Sequence, residues 1–153
     1  MGSGIAQACA QAGFAVRVRD LDAGMLARGR GMVEATLDEG IRRGKVTPAR
    51  RQEVLDRIHF TTSLAEAVTG AALVIEAVFE EESVKRDLFV EVAPLVGPET
   101  IVATNTSSLS VTRLAEAFPI PARFAGLHFF FPAAVNRLVA GFIRSVDSAF
   151  RST

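Results

Sequence analysis

Apolar residues recur along this chain at two spacings, and the alternation between those spacings lays out its elements. Ile5, Ala8, Cys9 and Ala12 fall on one face of a helix that starts near Gly4 and stops at Gly13. Phe14-Ala15-Val16-Arg17-Val18-Arg19 then alternates apolar and basic positions and closes at Asp20, as a strand does. Next, Met25, Leu26, Met32, Val33, Leu37 and Ile41 share a face while Arg28, Glu34, Asp38 and Arg42 lie off it, so the spacing predicts an amphipathic helix ending near Gly44. Thr47-Pro48 supplies a capping hydroxyl and a first-turn proline for another helix, whose inward side is Val54 and Leu55. Ser63-Leu64-Ala65-Glu66 has the spacing of a capping box.

Beyond residue 70 the apolar runs become continuous. Ala71 to Ile75 is unbroken, which in so short a segment suits a parallel strand covered on both faces, with Glu76 and Glu80 at or beyond its C-terminal end. Glu82 to Leu95 reads as a helix with Val84, Leu88, Val92 and Leu95 inward. Ile101-Val102-Ala103-Thr104 is a second buried strand and runs into the polar turn Asn105-Thr106-Ser107-Ser108. Ser110 caps a helix through Leu114 and Phe118, and Phe124 to Phe130 forms the last expected strand, with His128 in it. Strands alternating with helices predict a parallel α/β sheet.

Composition narrows the reading. With 153 residues, 49% of them apolar, the chain can bury one core of its own but leaves no room for a second domain of ordinary size. Seventeen basic residues balance seventeen acidic ones, so no net field draws it to nucleic acid or anionic lipid, and a small-molecule partner is expected. Cys9 sits in an apolar helical pattern as a buried thiol, and a single cysteine, which cannot form an internal disulfide, fits a reducing compartment. No apolar run approaches the ~20 residues that cross a bilayer. The expectation is a soluble cytoplasmic protein with no metal site.

Ligands of open parallel sheets gather outside the C-terminal ends of the strands, where Asp20, Glu80, the Asn105 to Ser108 turn and His128 all map. Gly2 and Gly4 would let a helix N-terminus come close to a pyrophosphate, and Asp20 can accept hydrogen bonds from both ribose hydroxyls. A carboxylate there repels the extra phosphate of NADP, so NAD is favoured. His59, between Ile58 and Phe60, reads as structural.

Taken together, Met1-Gly2-Ser3-Gly4-Ile5-Ala6-Gln7, Val74-Ile75-Glu76-Ala77-Val78, Val84-Lys85, Asn105-Thr106-Ser107-Ser108-Leu109 and Gly126-Leu127-His128-Phe129-Phe130 resemble the NAD-binding domain of the L-3-hydroxyacyl-CoA dehydrogenases, in order and spacing, from Met1 to about Val139. The resemblance implies oxidation of a 3-hydroxyacyl-CoA to the 3-ketoacyl-CoA with reduction of NAD, in fatty-acid or short acyl-CoA metabolism. It implies His128 as the base that takes the hydroxyl proton, a task suited to an imidazole with an unperturbed pKa of ~6.5. It also implies Ser107 as the residue holding the reacting oxygen, Asn105 and Glu80 near the nicotinamide, Asp20 on the adenosine ribose, and Lys85 near the CoA moiety or cofactor. The implied fold is a Rossmann-like doubly wound parallel sheet.

The sequence departs from that family in three places. The glutamate that orients the histidine, twelve residues on, falls on Ala140, with no carboxylate before Asp147. Loss of the group that orients a catalytic histidine costs ~10⁴ in turnover in serine proteases. The usual His-Phe-Phe-Asn-Pro becomes His128-Phe129-Phe130-Phe131-Pro132, an apolar residue in a polar pocket position. The family's helical dimerisation domain has no counterpart, and residues 140–153 read as a divergent tail after a partial Rossmann domain over 1–139. The first central strand of the sheet is also expected to be lacking. Its neighbours would then face unpaired backbone groups at ~1–3 kcal/mol each, against a domain stability of roughly 5–15 kcal/mol, so the chain alone is expected to be insoluble, molten or rearranged. An incomplete or inactive dehydrogenase is therefore the leading expectation, with a non-catalytic NAD-binding remnant and a related sugar-acid dehydrogenase as alternatives.

Overall fold

Glycines and capping hydroxyls divide the chain in the computed structural model, which describes residues 1–136 and 139–143. Helix α1 (Gly2–Gln11) ends before Gly13, whose φ of 100° a residue with a Cβ rarely adopts. Strand β1 (Val16–Arg19) follows, and Asp22 then caps α2 (Ala23–Arg42) by accepting from the Met25 N–H. Thr47 caps α3 (Pro48–Asp56) through the Arg50 N–H at 3.1 Å, with proline in the first turn as expected. Strand β2 (Ile58–Thr61), α4 (Leu64–Val68), β3 (Leu73–Glu76), α5 (Glu82–Val92), β4 (Ile101–Thr104), α6 (Val111–Ala115), β5 (Phe124–Phe129) and β6 (Val139–Ile143) complete the order. The α/β alternation with parallel strands is as the sequence predicts.

The described residues fall into two compact units. The first holds Met1–Ala67 and the turn that begins at Phe130. Its β1 and β2 pair in parallel, Val16 opposite Ile58 and Arg19 opposite Thr61. Ala10, Val33, Leu37, Val54 and Ile58 form its core. Two arginines tie α3 and its end to the end of α1: Arg50 donates to the Gln11 carbonyl and Arg57 to the Gly13 carbonyl, satisfying groups a helix C-terminus leaves orphaned.

The second unit holds Val68–Phe129 and β6, in a sheet ordered β3-β4-β5-β6. The β3–β4 and β4–β5 pairs are parallel and β6 runs antiparallel to β5. Phe89 meets Phe124 edge-on at 4.8 Å, and Val102, Ala103, Leu114 and Phe118 close the core around them.

Several expectations need correction. On α2 only Val33 and Leu37 are buried, while Met25 and Met32 are exposed, Met32 by 56%. Cys9 is half-buried, and burial raises its thiol pKa. On α5 the inward residues are Lys85, Phe89 and Val92, whereas Val84 is exposed; a charged residue turns inward because a buried acid awaits it. Within the described part of its sheet β3 pairs only with β4, and the exposure of Leu73 by 45% shows that its apolar run is not covered throughout. Ser63 does accept from the Glu66 N–H, but the Glu66 carboxylate turns to Thr61 and His59 instead of completing the capping box. Strands β2 and β6 are additional to those the pattern predicts. Residues from 144 on, Asp147 among them, lie outside the described residues.

Candidate functional site

In the second unit a buried charge centre forms where β3 ends and α5 begins. Glu76 is the last residue of β3 and lies only 3% exposed. Lys85, one turn into α5 and completely buried, places its Nζ 2.8 and 2.9 Å from the two Glu76 oxygens. Desolvating two charges costs several kcal/mol each, so such a pair persists only where further hydrogen bonds complete it. Thr104 at the end of β4 donates to Glu76 Oε2 at 2.6 Å, and the Val78 N–H donates to Oε1 at 2.7 Å. The lysine reaches onward as well, to Glu80 Oε2 at 3.1 Å and the Asn105 carbonyl at 3.3 Å.

Glu80 carries that charge to the polar turn. Its Oε1 accepts from the Thr106 hydroxyl, the Ser107 N–H at 3.0 Å and the Ser108 N–H at 3.4 Å. Partial burial pushes its pKa up, but the Thr106 hydroxyl, the Lys85 ammonium and the Ser107 N–H together outweigh burial and bring it from 4.5 down to about 2. Glu80 is thus an anion locked into the turn. Asn105 ties the same turn to the next strand, its Oδ1 accepting from the Phe129 N–H at 2.9 Å, one residue past His128.

Five of the residues the sequence singles out therefore belong to one unit. Glu80, Lys85, Asn105 and the backbone of Ser107 are joined by hydrogen bonds, and His128 stands on β5 beside the Asn105 contact. Across the β5–β6 ladder the residue directly opposite His128 is Ala140. In an antiparallel pair facing residues share a side of the sheet with Cβ atoms ~4.5–5.5 Å apart, so twelve residues of separation is the distance around this hairpin.

The other three, Gly2, Gly4 and Asp20, belong to the first unit. Helix α1 begins at Gly2 with no side-chain cap and no acidic residue in its first turn, which suits it to an anion. A Cβ at Gly4 would come 3.5 Å from the Ala133 Cβ, an ordinary contact, so nothing there demands a glycine for packing. Asp20 closes β1, its Oδ1 accepting from the Leu21 N–H at 2.8 Å. Phe131 is 82% exposed in this unit's turn. His59 is held by Glu66 at 3.0 Å, and the Thr61 hydroxyl followed by His59 lowers the Glu66 pKa. Among the described residues no group of three or more His, Cys, Asp or Glu could hold a metal ion, and no helix is long and apolar enough to cross a membrane.

Sequence reasoning placed Glu76 at a strand end without giving it a role, and it passed over Thr104 and Thr106. The available signal was an acid closing an apolar strand nine residues before a lysine.

Residues 1–144 match the family profile described as 3-hydroxyacyl-CoA dehydrogenase, NAD binding domain. The chain belongs to that family. It is 45% identical over 139 residues to a probable 3-hydroxybutyryl-CoA dehydrogenase of Deinococcus radiodurans, covering 91% of this chain and 49% of that protein. It is 41% identical to the 3-hydroxyadipyl-CoA dehydrogenase of Escherichia coli, covering 91% of this chain and 29% of the relative. The crystal structure of (S)-3-hydroxybutyryl-CoA dehydrogenase from Ralstonia eutropha superposes with a TM-score of 0.89 at 38% identity, over 92% of this chain and 50% of that one. This NAD-binding domain thus spans about half the length of its Deinococcus relative, or less in others.

Proposed function

We propose that this chain is the nucleotide-binding part of an NAD-dependent L-3-hydroxyacyl-CoA dehydrogenase acting in fatty-acid or short acyl-CoA metabolism. The observation that carries the reading is the locked turn: Glu80 fixes the Ser107 backbone while Asn105 pins the strand bearing His128. Gly2 and Gly4 at the start of α1 would receive the pyrophosphate and Asp20 the adenosine ribose, with Glu80, Lys85 and Asn105 serving the nicotinamide half. NAD, when bound, supplies the hydride acceptor. Ser107 holds the substrate oxygen by its hydroxyl, and His128 removes the hydroxyl proton as hydride leaves the neighbouring carbon, returning it in the reverse direction.

The proposed fold is the Rossmann-like doubly wound sheet. The parallel pairs β1–β2, β3–β4 and β4–β5 support it. A divergent tail from 140, a cytoplasmic location and a 3-hydroxyacyl-CoA substrate complete the reading.

Ala140 opposite His128 favours a second reading, a domain that binds NAD with little turnover. The two separate in a chimera joining this chain to the remaining half of the Deinococcus relative. Micromolar binding of NADH by calorimetry supports both, and absence of binding in a folded chimera sinks both. NADH formation from 3-hydroxybutyryl-CoA that rises by several orders of magnitude with Ala140→Glu marks a damaged enzyme, by analogy with the ~10⁴ that an orienting carboxylate is worth elsewhere. No gain marks a binding domain. Formation of NADH from sugar acids without CoA would point instead to a sugar-acid dehydrogenase.

A further inference from the structure

Three hydroxyls follow one another in the turn after β4, and only the first is enclosed. Thr106 is 5% exposed, whereas Ser107 and Ser108 are exposed. The Thr106 hydroxyl donates to Glu80 Oε1 and accepts from the Leu109 N–H at 3.0 Å and the Ser108 N–H at 3.4 Å. A hydroxyl has one proton and two lone pairs, so this one is fully used inside the protein. The Ser108 hydroxyl also turns to Glu80 Oε1, at 3.3 Å. Ser107 meets the same oxygen through its N–H, at 3.0 Å, which leaves its hydroxyl out of the cluster.

We propose that Thr106 is a positioning residue, whose hydroxyl holds Glu80 Oε1 against the turn and so keeps the Ser107 hydroxyl available to a ligand. The inference rests on the reading of Glu80 and Ser107 as cofactor and substrate residues, and adds to it the side chain that sets both.

The two oxygens of Glu80 have separate partners. Oε2 faces the Lys85 ammonium at 3.1 Å, and Oε1 takes the bonds of the turn. A single ammonium attracts the carboxylate without fixing where the second oxygen points, because it is a compact charge with rotatable donors. That direction comes from the turn. Water competes for the bonds of the exposed Ser107 and Ser108, but it cannot replace the proton that the enclosed Thr106 donates. With a methyl group in place of the hydroxyl, Oε1 loses its enclosed donor, and the Leu109 and Ser108 N–H groups lose their acceptor at the same time. The main-chain direction at Ser107 then becomes variable, and with it the direction of its hydroxyl.

The test uses the chimera that joins this chain to the remaining half of the Deinococcus relative. Thr106→Val keeps the shape and removes the hydroxyl, while Thr106→Ser keeps the hydroxyl. In Thr106→Val the Glu80 carboxyl, followed by carbon NMR, should titrate at higher pH, since it has lost a hydrogen bond to its charged form. Amide exchange at Ser107 and Ser108 should run about tenfold or more faster, with β4 amides little changed. NADH binding by calorimetry should weaken about tenfold or more, while ADP, which offers only the adenosine half, keeps its affinity. Thr106→Ser should restore all three. An unmoved Glu80 titration, unmoved exchange, or equal losses for NADH and ADP in Thr106→Val overturns the proposal, as does a Thr106→Ser variant that behaves like Thr106→Val. If Thr106→Val does not fold, Glu80→Ala in the same chimera decides: faster exchange at Ser107 and Ser108 supports the link, and unchanged exchange overturns it. If the unaltered chimera folds but binds no NADH, the functional reading fails by itself, and the titration and exchange still decide what Thr106 does.

Discussion

In the first unit charged side chains pair on helix surfaces, Glu39 with Arg42 and Arg43 and Glu53 with Arg50 and Arg57, whereas in the second a glutamate and a lysine pair out of reach of water. The exposed pairs lie three or four residues apart on one helix, so helix geometry makes them meet and water screens them once they do. Glu76 and Lys85 meet across a strand and a helix, with the fold holding them together. Surface pairs can therefore change without consequence for shape, while the buried pair is tied to the backbone geometry of a candidate site. Stability in the first unit should instead come from its apolar core.

Breaking the buried pair on one side should have the largest effect. Introduced into the chimera with the remaining half of the Deinococcus relative, Lys85→Met leaves the Glu76 carboxylate enclosed with no cation, and unfolding of the chimera in urea should report a loss of about 3–5 kcal/mol. Replacing both partners together should return most of it. If the single variant costs nothing, water or another cation reaches Glu76 and the contrast between the units fails.

The first unit offers the apolar counterpart. Leu37 is 1% exposed in a core with Val33, Val54 and Ile58, and Leu37→Ala should cost about 2–5 kcal/mol by lost burial and the cavity left behind. Urea unfolding measures it in the same way. A much smaller value would mean that the core around α2 can collapse onto the gap.

Acid sharpens the comparison. Folding lowers Glu80 from 4.5 to about 2, so its contribution is complete above pH 4.5 and is lost as pH falls towards 2, where the folded chain must take up the proton it had released. Urea midpoints of the chimera measured across that window should fall less steeply with Glu80→Ala than without it. Glu39, Glu53 and Glu66 are lowered as well, the first two by hydrogen bonds from arginines, so some acid sensitivity remains in the variant.

Local signals made the fold legible. Thr47, Ser63 and Ser110 each cap the helix their spacing predicts, and Gly13 and Gly44 take positive φ where helical runs stop. Those devices act within a few residues. What the sequence hid depends on partners from other elements. Lys85 breaks the apolar period of α5, and only Glu76 on β3 explains why it turns inward. Met25 and Met32 satisfy the period of α2, yet no element among the described residues buries them. Four-residue strands such as Ile58–Thr61, with an exposed histidine in second place, carry too short a pattern to stand out. The site was legible as residue types at a strand edge, but the bonds joining Glu80 to Ser107 and Asn105 to Phe129 span more than twenty residues. The register of His128 against Ala140 likewise turned a bare spacing into a geometric relation.

The smallest effect is expected where the ion pairs look most numerous. Glu39 receives hydrogen bonds from both Arg42 and Arg43, and those two arginines, in that order of partner strength from Arg43 to Arg42, lower its pKa. All three side chains are exposed, so ordering them loses rotamer freedom while water already solvates each charge. Glu39→Gln should leave the urea midpoint unchanged at neutral pH, even though it removes two apparent salt bridges, whereas Glu76→Gln, an equally conservative change, should shift it clearly. Comparable shifts in the two variants would show that burial does not set the worth of a charge in this chain.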